Sequence, residues 1–230
     1  MCWRLAFWGT LFYLLVISLA YAGFDDGEAA YGRGDYAEAY EEFKDLAQQG
    51  HAGAQFFLGA MYELGNGVPQ DGDEALKWYR KAAEQGNVEA QHNLGYMYAN
   101  GQGVPRDYGE ALKWYRKAAD QGNAFAQNAL GWMYSNGQGI PQDYAEAFMC
   151  YGKAAEQGNA FAQNSLGSMY ANGQGVPQDF VVAHMWFNLA AARGNSDAQD
   201  NRDRIAREMT PAQIVEAQRL ASEWKLKGKK

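Results

Sequence analysis

The sequence predicts an all-α protein, an array of helix-turn-helix units with a 36-residue period. Three observations lead there. The segments "LGAMYELGNGVPQ", "LGYMYANGQGVPR", "LGWMYSNGQGIPQ" and "LGSMYANGQGVPQ" repeat one pattern, and their glycines Gly59, Gly95, Gly131 and Gly167 stand 36 residues apart. Self-similarity at a fixed period of this size marks a repeat architecture. Within each unit, apolar residues recur at helical spacing, as Ala90, Leu94 and Tyr98 do at i, i+4 and i+8, which places them on one buried face. Between two such stretches, "GQGVPRD" (Gly101 to Asp107) punctuates the chain with residues that end one helix and start another.

Residues 1–22 read as a separate object. Arg4 precedes an apolar run from Leu5 to Leu19, and Ala20, Tyr21 and Ala22 follow as a small-x-small site. That is the form of a secretory signal peptide, and the run is short for a membrane span. The expectation is an exported chain, periplasmic or secreted, that begins near Gly23 and has no membrane segment after cleavage; retention of the leader as an anchor is the alternative. Residues 23–49 form N-terminal capping helices, with Asp35 and Glu38 as a capping box ahead of "YAEAYEEFKDLAQQG".

Four units follow over residues 50–194, starting near 50, 86, 122 and 158. In the second, Val88 to Asn100 is the first helix, Gly101 a left-handed cap, and Pro105 a residue that cannot continue the helix. Asp107 with Glu110 forms a capping box, and Tyr108 to Gln121 is the second helix. Residues 195–230 form a C-terminal helix pair and a basic tail, "KLKGKK". Arg202 and Asp203 stand where leucine and glycine stood, which suits a polar outer cap. Thr210, Pro211 and Gln213 mark a helix start.

A glycine inside a helix costs about 1 kcal/mol relative to alanine, so its recurrence needs a geometric reason. Gly59, Gly95, Gly131 and Gly167 are read as structural crossing points where the second helix approaches the first. Ala111, Ala118 and Ala119 offer matching small surfaces. Trp78, Trp114 and Trp186 share one repeat position, and Tyr62, Tyr98, Tyr134 and Tyr170 another; both sets fill the remaining volume.

Composition narrows the function. With 47% hydrophobic and 20% charged residues the chain has the makeup of a folded protein, not a disordered one. A net charge of −7 argues against nucleic acid, whose binding rests on phosphate neutralisation. Beyond the leader, Cys150 is the one cysteine, at a position otherwise held by tryptophan; it reads as a small buried core residue with no basic group suggested nearby. His51, His92 and His184 show no metal-ligand spacing, and His92 is expected on the surface. No metal and no cofactor is expected, and the "GQG" triplets lack the strand and lysine of a phosphate loop. Glu74 with Lys77, and Glu110 with Lys113, read as helix-face ion pairs.

The pattern "A-Q-x-x-L-G-x-M-Y-x-x-G-x-G-V-P-x-D…A-x-x-W-Y-x-K-A-A-x-Q-G", read from Ala90 to Gly122, resembles the Sel1-like repeat, a relative of the tetratricopeptide repeat. The resemblance implies a right-handed α/α solenoid whose first helices line a concave face, and work as a non-enzymatic adaptor or scaffold that binds another protein or peptide segment. Positions of the first helices that vary between units lie on one stripe at i, i+3, i+7. The candidate partner-binding residues there are Phe56, Glu89, His92, Tyr96, Phe125, Asn128, Trp132, Phe161 and Asn164. Aromatic anchors between amides that bond a peptide backbone suit an extended segment. Two rival functions remain: a β-lactam-binding or hydrolysing enzyme, as the resemblance suggests for cysteine-rich members whose paired cysteines this chain lacks, and a structural spacer in an envelope complex.

Overall fold

The computed structural model describes residues 23–227, so residues 1–22, where a leader is expected, and the last three residues of the basic tail lie outside it. The described residues form helices and no strands, and they fall into two compact units. The first unit runs to Asp107 and the second begins at Tyr108.

The first unit contains α1 (23–33), α2 (Tyr36–Gln48), α3 (Ala52–Leu64), α4 (Gly72–Glu84) and α5 (Val88–Asn100). The second contains α6 (Tyr108–Asp120), α7 (Ala124–Asn136), α8 (Tyr144–Glu156), α9 (Ala160–Asn172), α10 (Phe180–Ala191), α11 (Ser196–Ala206) and α12 (Pro211–Lys227). Helix α3 pairs with α4, α7 with α8, and α9 with α10. Each pair is one hairpin of the repeat. Successive hairpins pack through α2 on α3, α4 on α5, α6 on α7 and α8 on α9, and α11 and α12 close the second unit against α10.

The local chemistry of one hairpin recurs in the next. Each first helix starts at a side chain that accepts the N–H of the third helical residue: Asn87 from Ala90, Asn123 from Ala126, Asn159 from Ala162 and Asn195 from Ala198. In the first hairpin the Nδ1 of His51 does the same for Ala54 at 3.2 Å, which requires an unprotonated Nδ1. The helix ends at a glycine such as Gly101, with φ +70°, a conformation costly for any side chain.

The second helices start at Asp71, Asp143 and Asp179, each accepting two backbone N–H groups. Their own N–H groups reach the carbonyls of Tyr62, Tyr134 and Tyr170, as that of Asp107 reaches Tyr98. The turn is therefore tied through its backbone to the preceding helix. A reciprocal box does form at α12: Gln213 N donates to Thr210 Oγ1, and Thr210 N donates to Gln213 Oε1.

The expected box at Asp35 is not formed. The Asp35 side chain makes no cap bond. Arg33 takes both acids instead, donating to Asp35 at 3.0 Å and Glu38 at 3.1 Å, because its guanidinium outcompetes a neutral N–H for a carboxylate.

Gly59, Gly131 and Gly167 are places of close approach, and what approaches is a ring. A Cβ at Gly59 would lie 2.6 Å from the Tyr79 ring, at Gly131 2.6 Å from Tyr151, and at Gly167 2.6 Å from Phe187. The second helix thus sends an aromatic residue onto the bare backbone of the first. Trp78, Trp114 and Trp186 and the alanines Ala111 and Ala118 are buried as expected. The second glycine of each "GxG" triplet also has a packing role: Gly67 and Gly175 would set a Cβ 2.7 Å from the carbonyl oxygens of Tyr36 and Tyr144 in the hairpin before.

A buried glutamine ladder ties hairpin to hairpin. Gln55, Gln91, Gln127 and Gln163 donate to the carbonyls of Ala47, Ala83, Ala119 and Ala155 at the end of the preceding second helix. Gln85 and Gln157 then donate to Gln55 and Gln127. Such bonds satisfy polar groups that would be costly to bury alone, although Gln163 Oε1 at the last rung is buried without a partner among the described residues.

Candidate functional site

The nine candidate residues are divided between the two units. The first holds Phe56 on α3 and Glu89, His92 and Tyr96 on α5; the second holds Phe125, Asn128 and Trp132 on α7 and Phe161 and Asn164 on α9. Helices α7 and α9 are in contact, so the last five residues belong to adjoining helices of one compact unit.

The exposed aromatics are concentrated there. Phe125 is 59% exposed, Trp132 46% and Phe161 63%, and in the first unit Tyr96 is 43% exposed. Residues 125, 128 and 132 follow i, i+3, i+7 on α7 and share a face. Phe161 holds on α9 the repeat position that Phe125 holds on α7. Large aromatic side chains are thus left in solvent on adjoining helices.

Phe56, Asn164 and His92 are engaged within the protein. Phe56 is half-buried and meets Phe57 edge-on at 5.4 Å and the Tyr79 ring at 5.9 Å. Asn164 accepts a hydrogen bond on Oδ1 from Asn201 at 3.1 Å, so only part of its amide is left for a peptide. His92 is half-buried rather than on the surface; its Nδ1 lies 3.0 Å from Asn93 Oδ1. Burial lowers its pKa against the opposing pull of Asn93, which keeps the imidazole neutral near pH 7. Glu89 is exposed in the first turn of α5, where a negative charge suits the helix dipole.

Cys150 is half-buried, not sealed in a core. Arg116 and Lys153 line the same cavity, so basic groups are near after all. Burial, with Glu146 second, raises the thiol pKa, so the thiol is protonated and unreactive near pH 7. The cavity was hidden from sequence reasoning, although the replacement of tryptophan by cysteine at this repeat position was its visible sign. Among the described residues no group of three His, Cys, Asp or Glu side chains is placed to hold a metal, and no helix is long and apolar enough to cross a membrane.

Hairpins of this geometry, stacked at a fixed period, define an all-α repeat solenoid. The chain belongs to the Sel1 repeat family, whose model matches residues 52–87, 88–123, 124–159 and 160–195. Proteins built from these repeats generally mediate protein–protein interaction, and the scaffold is generally non-catalytic.

Among solved structures the chain is similar to a protective antigen of uropathogenic Escherichia coli strains that displays an SLR fold, with 38% identity and a TM-score of 0.77 over 89% of this chain and 46% of that one. It thus spans just under half the length of that relative. A Sel1 repeat protein from Oxalobacter formigenes is 34% identical with a TM-score of 0.76, over 87% of this chain and 84% of that one. An immunity protein from Pseudomonas aeruginosa shares the fold alone, at 19% identity and a TM-score of 0.54 over 88% and 83% of the two chains. No match was found among curated proteins.

Proposed function

We propose that this chain is a non-enzymatic adaptor or scaffold of the cell envelope, exported by its leader, which binds an extended segment of another protein along the concave, first-helix face of the array. The observation that carries this reading is the set of exposed aromatics Phe125, Trp132 and Phe161 on adjoining helices, with Tyr96 as a further anchor in the first unit. Rigid aromatic anchors dominate binding energy where a partner desolvates them. Asn128 supplies an amide between two of these rings for the backbone of the segment. A segment that orders on binding loses entropy, so the expected affinity is moderate.

The test is affinity capture of envelope and secreted proteins on the chain, run beside a Tyr96→Ala, Trp132→Ala variant whose helicity is checked by circular dichroism. The expected result is a protein held by the native chain and released by the variant. Loss of two anchors should weaken binding by about tenfold or more, while exposed substitutions leave stability within about 0.5 kcal/mol each. A folded variant that retains the same proteins as the native chain overturns the reading.

A further inference from the structure

The third repeat breaks a rule that the others keep. Trp78, Trp114 and Trp186 hold one repeat position, each buried, and in α8 that position is Cys150. Trp78 packs with Ala47 and Leu58 beside Tyr62, and Trp186 with Ala155 and Leu166 beside Tyr170. The same positions around Cys150 are Ala119, Leu130 and Tyr134, and these line a cavity of about 190 Å³ together with Gln127, Glu146 and Lys153. A cavity of about 150 Å³ accepts a benzene ring, so this one has room for a single indole.

The groups that would hold an indole are retained. Lys81 Nζ lies 4.3 Å from the ring centroid of Trp78, and Lys117 Nζ 4.3 Å from that of Trp114; Lys153 has the same place after Cys150. Trp114 Nε1 donates to Glu110 Oε2 at 3.1 Å, whereas Trp78 Nε1 is buried without a partner among the described residues and Trp186 has Val182 and Leu189 in the glutamate and lysine places. The pair at Cys150, Glu146 four residues before and Lys153 three after, is the one that surrounds Trp114. Where Glu74 and Glu110 pair with Lys77 and Lys113, Glu146 has Met149. The polar walls already have protein partners. Gln127 donates to Ala119 O and accepts from Gln157, and Arg116 donates to the Tyr134 hydroxyl. A flat ring can therefore cover the Gln127 and Arg116 walls without stranding a polar group, and Asp120, which also lines the cavity, is exposed and keeps its water at the rim.

We infer that the cavity at Cys150 is a tryptophan socket completed in trans: it binds an indole, with the ring face beneath Lys153 Nζ and the ring N–H on the Glu146 carboxylate. The site is independent of the exposed aromatic face, so either can fail without the other. A free indole and the tryptophan side chain of a partner carry the same chemistry.

Isothermal titration of the chain with indole, 1-methylindole and N-acetyl-tryptophanamide tests this. Indole should give saturable one-to-one binding. 1-Methylindole, without the N–H, should bind about tenfold more weakly. Lys153→Met should weaken indole about threefold, and Cys150→Trp, which fills the socket from within, should abolish binding. Cys150→Phe serves the same purpose should the larger ring disturb folding. N-acetyl-tryptophanamide binding alongside indole assigns the socket to a side chain of a partner; binding of indole alone assigns it to a free aromatic compound. No saturable binding of either, or native affinity in a folded Cys150→Trp or Cys150→Phe chain, overturns the inference; equal affinity for indole and 1-methylindole overturns the role of Glu146.

Discussion

Gly131→Ala is the sharpest probe of how the hairpins pack. The added Cβ would lie 2.6 Å from Cδ1, 2.7 Å from Cε1 and 2.9 Å from Cγ of Tyr151, whereas non-bonded carbons prefer about 3.5 to 4.0 Å. Tyr151 is only 4% exposed, and the clash reaches the root of the ring, so a rotation of its far end cannot relieve it. Helix α8 or the ring must shift by roughly 1 Å to restore contact distance. Overpacking of this kind costs about 1–3 kcal/mol, and alanine recovers about 1 kcal/mol of helix propensity. The net expectation is a loss of about 1 kcal/mol. Gly152→Ala makes the identical change in α8, where a Cβ meets no heavy atom within 4 Å; it should instead stabilise by about 0.5–1 kcal/mol. Urea unfolding followed by circular dichroism reads both as opposite shifts of the midpoint. In a Tyr151→Ala background, Gly131→Ala should change sign and become stabilising. A Gly131→Ala midpoint at or above that of the native chain refutes the ring-on-glycine account.

Asp179→Ala removes an acceptor of the Val181 and Val182 N–H groups and should cost about 1 kcal/mol in the same assay, whereas Asp35→Ala, which removes no cap bond, should stay within about 0.5 kcal/mol. His184 is buried, and burial first and Arg202 second lower its pKa from 6.5. With the folded value below the unfolded one, the unfolded chain binds the proton more readily, so this contribution is complete above pH 6.5 and is lost as pH falls toward the folded value. The urea midpoint should drop between pH 7.5 and pH 5.5 by less in His184→Phe than in the native chain; an identical drop in both removes His184 from the account.

Where an outcome depends on short-range backbone chemistry, the sequence was enough. The 36-residue period, the glycine caps and the start of α12 at Pro211 are set by residues within a few positions of one another. Reading failed where two side chains compete for one partner. Asp35 and Glu38 have the spacing of a box, but Arg33 lies nearby in sequence and takes both carboxylates. The candidate face was legible only in part for a similar reason. The stripe position of Phe56 follows from helical spacing, but its packing on Tyr79 depends on α4, and the bond from Asn201 to Asn164 joins residues 37 apart. Spacing places a residue on a face and says nothing of what already covers it.

A repeat array carries its own reference, because each unit solves the same packing problem. Two kinds of departure then have different force. At a position that varies throughout, such as Trp132 and its counterparts Tyr96 and Ser168, a residue is unconstrained by the fold, and only its exposure argues for a role. At a position that is otherwise fixed, a change leaves the surrounding groups built for what is missing. Ala119, Leu130, Tyr134, Glu146 and Lys153 are the retained surroundings of a tryptophan. Around Cys150 the lysine and the carboxylate are those that surround Trp114, whereas Trp186 keeps its ring with Val182 and Leu189 in their places, so what points to a ligand is the likeness to the Trp114 site together with the cavity. It also predicts that restoring the ring by Cys150→Trp, by filling a hole of about 190 Å³, raises stability while removing the site.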